Sequence, residues 1–238
     1  MNHWHPLPAE AYSFVEQTPG TVLLENCRRG GRTISRLFTA PTSVVAVREL
    51  TELPGLFEEI EDAVARGLLV AGYFAYECGQ YFEPTAHLRP RHENELLAWF
   101  GIYDRCCRFD HVSACFLDAA APILQKSVPA ESNQRVDVHF GLSDAQFAGR
   151  IAQIHDWIRA GDIYQLNFTF SLRAGVGEGP AAFYSRLSAA QPVDYGAFLH
   201  CEPGRHQGLR RIGKRSFVVE PDQRPAPYVK RRAALRIQ

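Results

Sequence analysis

The chain has 238 residues, of which 46% are hydrophobic and 22% charged, and its formal net charge is zero. This composition suits a globular protein with one large core or two modest ones, and the absence of a basic surplus argues against a nucleic-acid binder. No run approaches the roughly eighteen apolar residues of a membrane span, and residues 1–10 lack a secretory signal's basic start and apolar core, so the expected compartment is the cytoplasm.

Along the chain, residues 13–25 open a β-rich region that contains the short run Thr21-Val22-Leu23-Leu24. Arg28-Arg29-Gly30-Gly31 reads as a turn into a strand over 33–38, and Ser43 to Val47 as another strand. A helix follows, with Pro54 in its first turn and Gly67 after its last. Leu56, Phe57, Ile60 and Val64 form its apolar stripe, while Glu58, Glu59, Glu61 and Asp62 lie on other faces. Residues 68–76 are almost wholly apolar and predict a strand buried on both faces that ends at Glu77. Residues 96–103 and 108–117 predict two more strands, and 118–140 a connecting loop with short strands.

Ser143-Asp144-Ala145-Gln146 has the form of a capping box, and Phe147, Ile151, Ile154 and Ile158 then recur at helical spacing up to Gly161. The next stretch alternates. Tyr164, Leu166, Phe168, Phe170 and Leu172 would point one way, and Gln165, Asn167, Thr169 and Ser171 the other. The amides of Gln165 and Asn167 both donate and accept, so this polar edge is either a solvated sheet face or the lining of a cavity for a polar ligand. Gly175 to Gly179 has the spacing G-x-G-x-G and lacks a following Gly-Lys-Ser/Thr, so it reads as a connector and not as a phosphate loop. A helix then carries Phe183, Tyr184 and Leu187, and a strand starts at Tyr195.

The six cysteines show no C-x-x-C spacing and read as reduced, partly buried side chains; no metal site is expected among these residues. Charge is unevenly spread. Residues 204–238 hold 10 Lys+Arg against 2 Asp+Glu, which leaves 16 against 24 in residues 1–203.

Four ordered stretches are recognisable together. Residues 160–169 (AGDIYQLNFT) resemble the GD-x-YQ-x-N-x-T segment of the chorismate-utilising enzymes, a family that includes the large components of anthranilate synthase and aminodeoxychorismate synthase. Leu23-Leu24-Glu25-Asn26 resembles their LLES motif, residues 71–77 (AGYFAYE) their GY-x-x-YE segment, and residues 191–198 (QPVDYGAF) their N-P-x-P-Y/F-x-A-F segment. Tyr164-Gln165-x-Asn167 favours the aminodeoxychorismate branch, because anthranilate synthases usually read FQVV-x-S there.

The resemblance implies an α+β fold of two stacked, mainly antiparallel sheets flanked by helices, as in anthranilate synthase component I. It assigns 1–125 to the N-terminal region of that component and 126–203 to the start of the chorismate-binding domain. It also implies a magnesium-dependent amination of chorismate at C4, with ammonia from a separate glutaminase subunit, on the way to p-aminobenzoate and folate. A tryptophan-like effector would lie against Glu25 and Asn26, the run Ile34, Ser35, Arg36 and Leu37, and Asp194, Tyr195 and Gly196. Gln165, Asn167 and Thr169 would line the chorismate cleft. Asn26 replaces the usual serine, and Asp194 stands where proline is common.

The family's catalytic motifs, an SPE-type strand and PIKGT with its lysine, do not occur in these 238 residues, and neither do the histidine and magnesium-binding glutamates expected beyond them. No catalytic residue or metal ligand is therefore assigned, and the fold is expected to be incomplete. The basic stretch 204–238 reads as out-of-frame translation or a disordered tail, and the chain as an N-terminal fragment inactive on its own. The rival expectations are an anthranilate synthase component I fragment and a non-catalytic module that binds an amino acid or the glutaminase.

Overall fold

The computed structural model describes residues 4–27, 33–83, 96–119, 122, 124, 137–175, 177–201 and 218–219. The turn expected at 28–31 and most of the basic stretch 204–238 lie outside these residues. The described residues form two compact units. One takes those up to 130 together with those from 179 onward, and the other those between 137 and 178.

The first unit holds two antiparallel sheets. Its five-stranded sheet runs β10-β1-β2-β6-β7, from β1 (Thr21–Glu25), β2 (Ile34–Phe38), β6 (Cys107–Asp110), β7 (Cys115–Phe116) and β10 (Gly196–His200). The four-stranded sheet runs β11-β4-β5-β3, from β3 (Ser43–Val47), β4 (Leu69–Phe74), β5 (Ala98–Tyr103) and the short β11 (Val218–Val219). Alternating side chains on each strand serve two cores, as the period of an extended chain requires. Val22, Phe38, Ala197 and Leu199 meet Ala71, Tyr73, Trp99 and Tyr103 between the sheets. On the outer face of the first sheet, Leu23, Leu37, Phe109 and Phe198 pack against helices α1 (Ala9–Gln17) and α5 (Pro180–Ala190). On the outer face of the second, Val70, Ala98, Phe100 and Ile102 pack against α2 (Leu53–Ala65). The order of layers is helix, sheet, sheet, helix, which is the expected α+β architecture.

Trp99 and Tyr103 are wholly buried at the centre of this stack. Each large apolar side chain buried there contributes about 1.5–3 kcal/mol. Tyr103 also donates its hydroxyl to the Gly20 carbonyl at 2.8 Å, so its polar end is satisfied. Gly72 on β4 is obligatory in size: a Cβ would overlap the Trp99 carbonyl oxygen and lie 2.6 Å from Phe100 Cα.

Two local expectations need correction here. Residues 13–17 are helical, not extended. Pro8 sets the backbone ahead of α1, and Ala11, Tyr12 and Val15 share the face that is buried on the sheet. The strand expected over 108–117 is a hairpin of β6 and β7, because Asp110 Oδ1 accepts from the Val112 N–H at 2.9 Å and turns the chain.

In the second unit, α4 (Asp144–Ala160) begins on the predicted capping box. Gln146 N–H donates to Ser143 Oγ at 3.3 Å, and Ser143 N–H to Gln146 Oε1 at 3.0 Å. It stops at Gly161, whose φ of 82° is the left-handed conformation that glycine accepts at least cost. The alternating stretch after it is not the predicted long strand. Residues 162–171 are irregular, and extended pairing begins only at β9 (Leu172–Gly175), which pairs with β8 (Asp137–Phe140) across four positions. Alternation requires a partner to become a ladder, and here Phe168 and Phe170 turn instead to Phe147 of α4, at ring distances of 5.7 and 5.9 Å.

Candidate functional site

The nine residues expected to hold an effector converge on one end of the three neighbouring strands β10, β1 and β2. Glu25 is the register partner of Gly196, and Leu24 that of Arg36. They do not share one face. Ser35 and Leu37 point to the α1–α5 side with Glu25, whereas Ile34 and Arg36 alternate to the opposite side. Asp194 and Tyr195 precede β10 on its exposed approach, and Tyr195 is 62% exposed.

Glu25 is only 3% exposed. A buried carboxylate needs donors, and two elements supply them. Tyr12 of α1 donates to Oε1 at 2.6 Å, and Ser188 of α5 donates to Oε2 at 3.1 Å. Burial, reinforced by the Glu25 charge and this hydrogen bond, pushes the Tyr12 hydroxyl far above the usual phenol range. Burial and the same charge push the Cys27 thiol up, and its sulfur lies 3.5 Å from Ser188 Oγ. The Cys27 N–H donates to the Val193 carbonyl at 3.1 Å. The connection between α5 and β10 is therefore tied to the end of β1 before and within its course. At Gly196 the packing is tight, since a Cβ would stand 2.8 Å from Tyr184 Oη.

A second network adjoins through Ser35. The Asn26 N–H donates to Ser35 Oγ at 3.0 Å, and Ser35 Oγ lies 2.7 Å from His111 Nε2. His111 Nδ1 is 2.7 Å from the His5 carbonyl, which can only accept. Nδ1 therefore carries the proton, and in the neutral ring Nε2 accepts from the Ser35 hydroxyl. Burial holds His111 below its ordinary pKa, against the opposing influence of the His5 carbonyl, Glu25 and Asp110. The Trp4 indole lies flat on this imidazole, with centroids 5.0 Å apart and 4° between planes.

Tyr12, Cys27, His111 and Ser188 were not foreseen as members of this site. Ser188 sits 163 positions from Glu25 and His111 76 from Ser35, so no local pattern could announce either. Gln165, Asn167 and Thr169 are exposed on the irregular stretch after α4 in the second unit. Tyr164 before them is fully exposed.

Residues 25–209 match the family of chorismate binding enzymes. The chain belongs to that family. The match runs from the Glu25 end of β1 through α4, α5 and β10. Its members use chorismate, and the layered α+β fold described above agrees with membership. No curated protein matches the chain. Among the described residues no group of three or more His, Cys, Asp or Glu side chains comes together as a metal site. Among the same residues, no helix is long and apolar enough to cross a membrane.

Proposed function

We propose that this chain is the front part of component I of an aminodeoxychorismate synthase. That enzyme replaces the C4 hydroxyl of chorismate with ammonia delivered by a glutaminase partner, in a magnesium-dependent reaction leading to p-aminobenzoate and folate. The observation that carries the reading is the run Gly161-Asp162-Ile163-Tyr164-Gln165-Leu166-Asn167, which lies inside the matched residues and has the form of the aminodeoxychorismate branch. In this reading Gln165, Asn167 and Thr169 line the chorismate cleft, their amides and hydroxyl suited to the ring hydroxyl and carboxylates of the substrate. The end of β10, β1 and β2 receives a tryptophan-like amino acid.

The discriminating experiment is binding to two glutaminase subunits, one from an aminodeoxychorismate synthase and one from an anthranilate synthase. Tighter binding to the first is expected. Preference for the second would move the chain to the anthranilate branch. A product assay with chorismate, ammonia and magnesium is expected to give no aminodeoxychorismate from these 238 residues, since they carry neither an SPE nor a PIKGT motif. Product formation would overturn that expectation.

A non-catalytic amino-acid-binding module is the second reading. It is favoured by the tethering of the Glu25 end, for which the described partners Tyr12, Ser188 and the Val193 carbonyl all belong to the first unit.

A further inference from the structure

We infer that Glu25 is a positioning residue and not a ligand contact: through Tyr12 and Ser188 it fixes the connection from α5 to β10, so that Asp194 supplies the charge that reads a ligand's ammonium group and Tyr195 the surface for its ring. The inference rests on the reading that this end of the sheet binds an amino acid, and it reassigns the roles within that site.

Three observations carry it. First, both oxygens of the Glu25 carboxylate accept hydrogen bonds from within the fold, and the residue is 3% exposed, so little of the carboxylate is open to a ligand ammonium. Second, the bonds of Glu25 and its neighbour Cys27 bracket the connection. Ser188 precedes it, the Val193 carbonyl lies within it, and Gly196 at its far end is the register partner of Glu25. Third, the two residues between those anchors, Asp194 and Tyr195, are exposed, although Gly196 to Leu199 directly after them are buried. A carboxylate next to an aromatic ring on a tethered connection suits a ligand that pairs a cationic amine with a flat ring. Tethering lowers the ordering cost of binding.

The test compares two probes, L-tryptophan and indole-3-propionate, which differ by the ammonium group. Calorimetry measures both on the intact chain and on Glu25→Gln, Asp194→Asn and Tyr195→Ala. The expected result is that Asp194→Asn removes the preference for L-tryptophan, whereas Glu25→Gln weakens both probes alike, by about tenfold or more, and leaves the preference intact. Tyr195→Ala is expected to weaken both. Loss of the preference in Glu25→Gln, with Asp194→Asn unchanged, would overturn the inference by showing that Glu25 itself meets the ammonium. Hydrogen exchange at the amides of Gln191 and of Val193 to Gly196 tests the positioning role without a ligand. These amides are expected to exchange faster in Glu25→Gln and in Ser188→Ala, and unchanged exchange in both would overturn that role. If the intact chain binds neither probe, the amino-acid site itself falls, and the exchange data still decide whether Glu25 holds the connection.

Discussion

Ser188 of α5 donates its hydroxyl to Glu25 of β1 at 3.1 Å, and Tyr12 of α1 meets the other carboxylate oxygen at 2.6 Å. One buried carboxylate thus joins two helices to the sheet on which both pack. A charged acceptor of this kind makes stronger hydrogen bonds than a neutral one, and losing a donor to it is correspondingly costly.

Tyr12→Phe tests that joint directly. The phenyl ring keeps the packing of Tyr12 in the outer core, including its contact with Tyr184 at a centroid distance of 5.6 Å. Only the hydroxyl is lost, which leaves Glu25 Oε1 without this donor. The expected loss of stability is about 1–3 kcal/mol, read as a lower denaturant midpoint at an unchanged slope. A midpoint equal to that of the wild type would show that the bond contributes nothing net.

Gly72→Ala addresses the contact between β4 and β5. The added methyl would overlap backbone, the Trp99 carbonyl oxygen and Phe100 Cα, and backbone in the middle of a sheet cannot swing aside as a side-chain tip can. Overpacking of this kind costs about 1–3 kcal/mol, occasionally more, and the upper end or beyond is expected here. Gly55→Ala on α2, where a Cβ would meet nothing within 4 Å, is the control and should leave the thermal midpoint unlowered. Equal midpoints for the two variants would contradict this account.

His111 predicts a dependence on pH. Its folded pKa is lowered from 6.5, mainly by burial, so in the acid range the unfolded chain takes up a proton that the folded chain resists. Stability rises with pH wherever the unfolded state binds more protons. The contribution is therefore intact above about pH 6.5 and declines as the pH falls below it. Urea midpoints at about pH 7.5 and 5.5, for wild type and His111→Gln, check this. The wild type is expected to lose more between the two values than the variant does, and parallel losses would remove His111 as the cause.

Much of the first unit was legible in the sequence because its signals are local. β3 was read to the residue, and β4 and β5 lie inside two apolar runs that only a doubly covered strand tolerates. The capping box and Gly161 placed both ends of α4. What misled was the stretch 164–172, whose clean alternation describes a pleated ribbon but says nothing of whether a neighbour exists to hydrogen-bond it. Helix α1 was hidden for a related reason: nine residues with three buried positions give a weak periodic signal beside a strong β run. At the candidate site the structure pairs Glu25 with Gly196 on one side of β1 and joins Asn26 to Ser35 on the other. The partners that complete it come from α1, α5 and the turn after β6, and only the folded chain brings these to Glu25 and Ser35.

The pairing of Thr21 with His200 also bears on how the protein is made. β1 leaves the ribosome early, yet its neighbour β10 is among the last of the described strands to be synthesised. Until then β1 has β2 on one side and an open row of amide and carbonyl groups on the other, an invitation to intermolecular pairing. Closure over so long a loop is slow relative to local folding. Nascent chains halted short of residue 200 should therefore be the form most prone to aggregate and most in need of a chaperone.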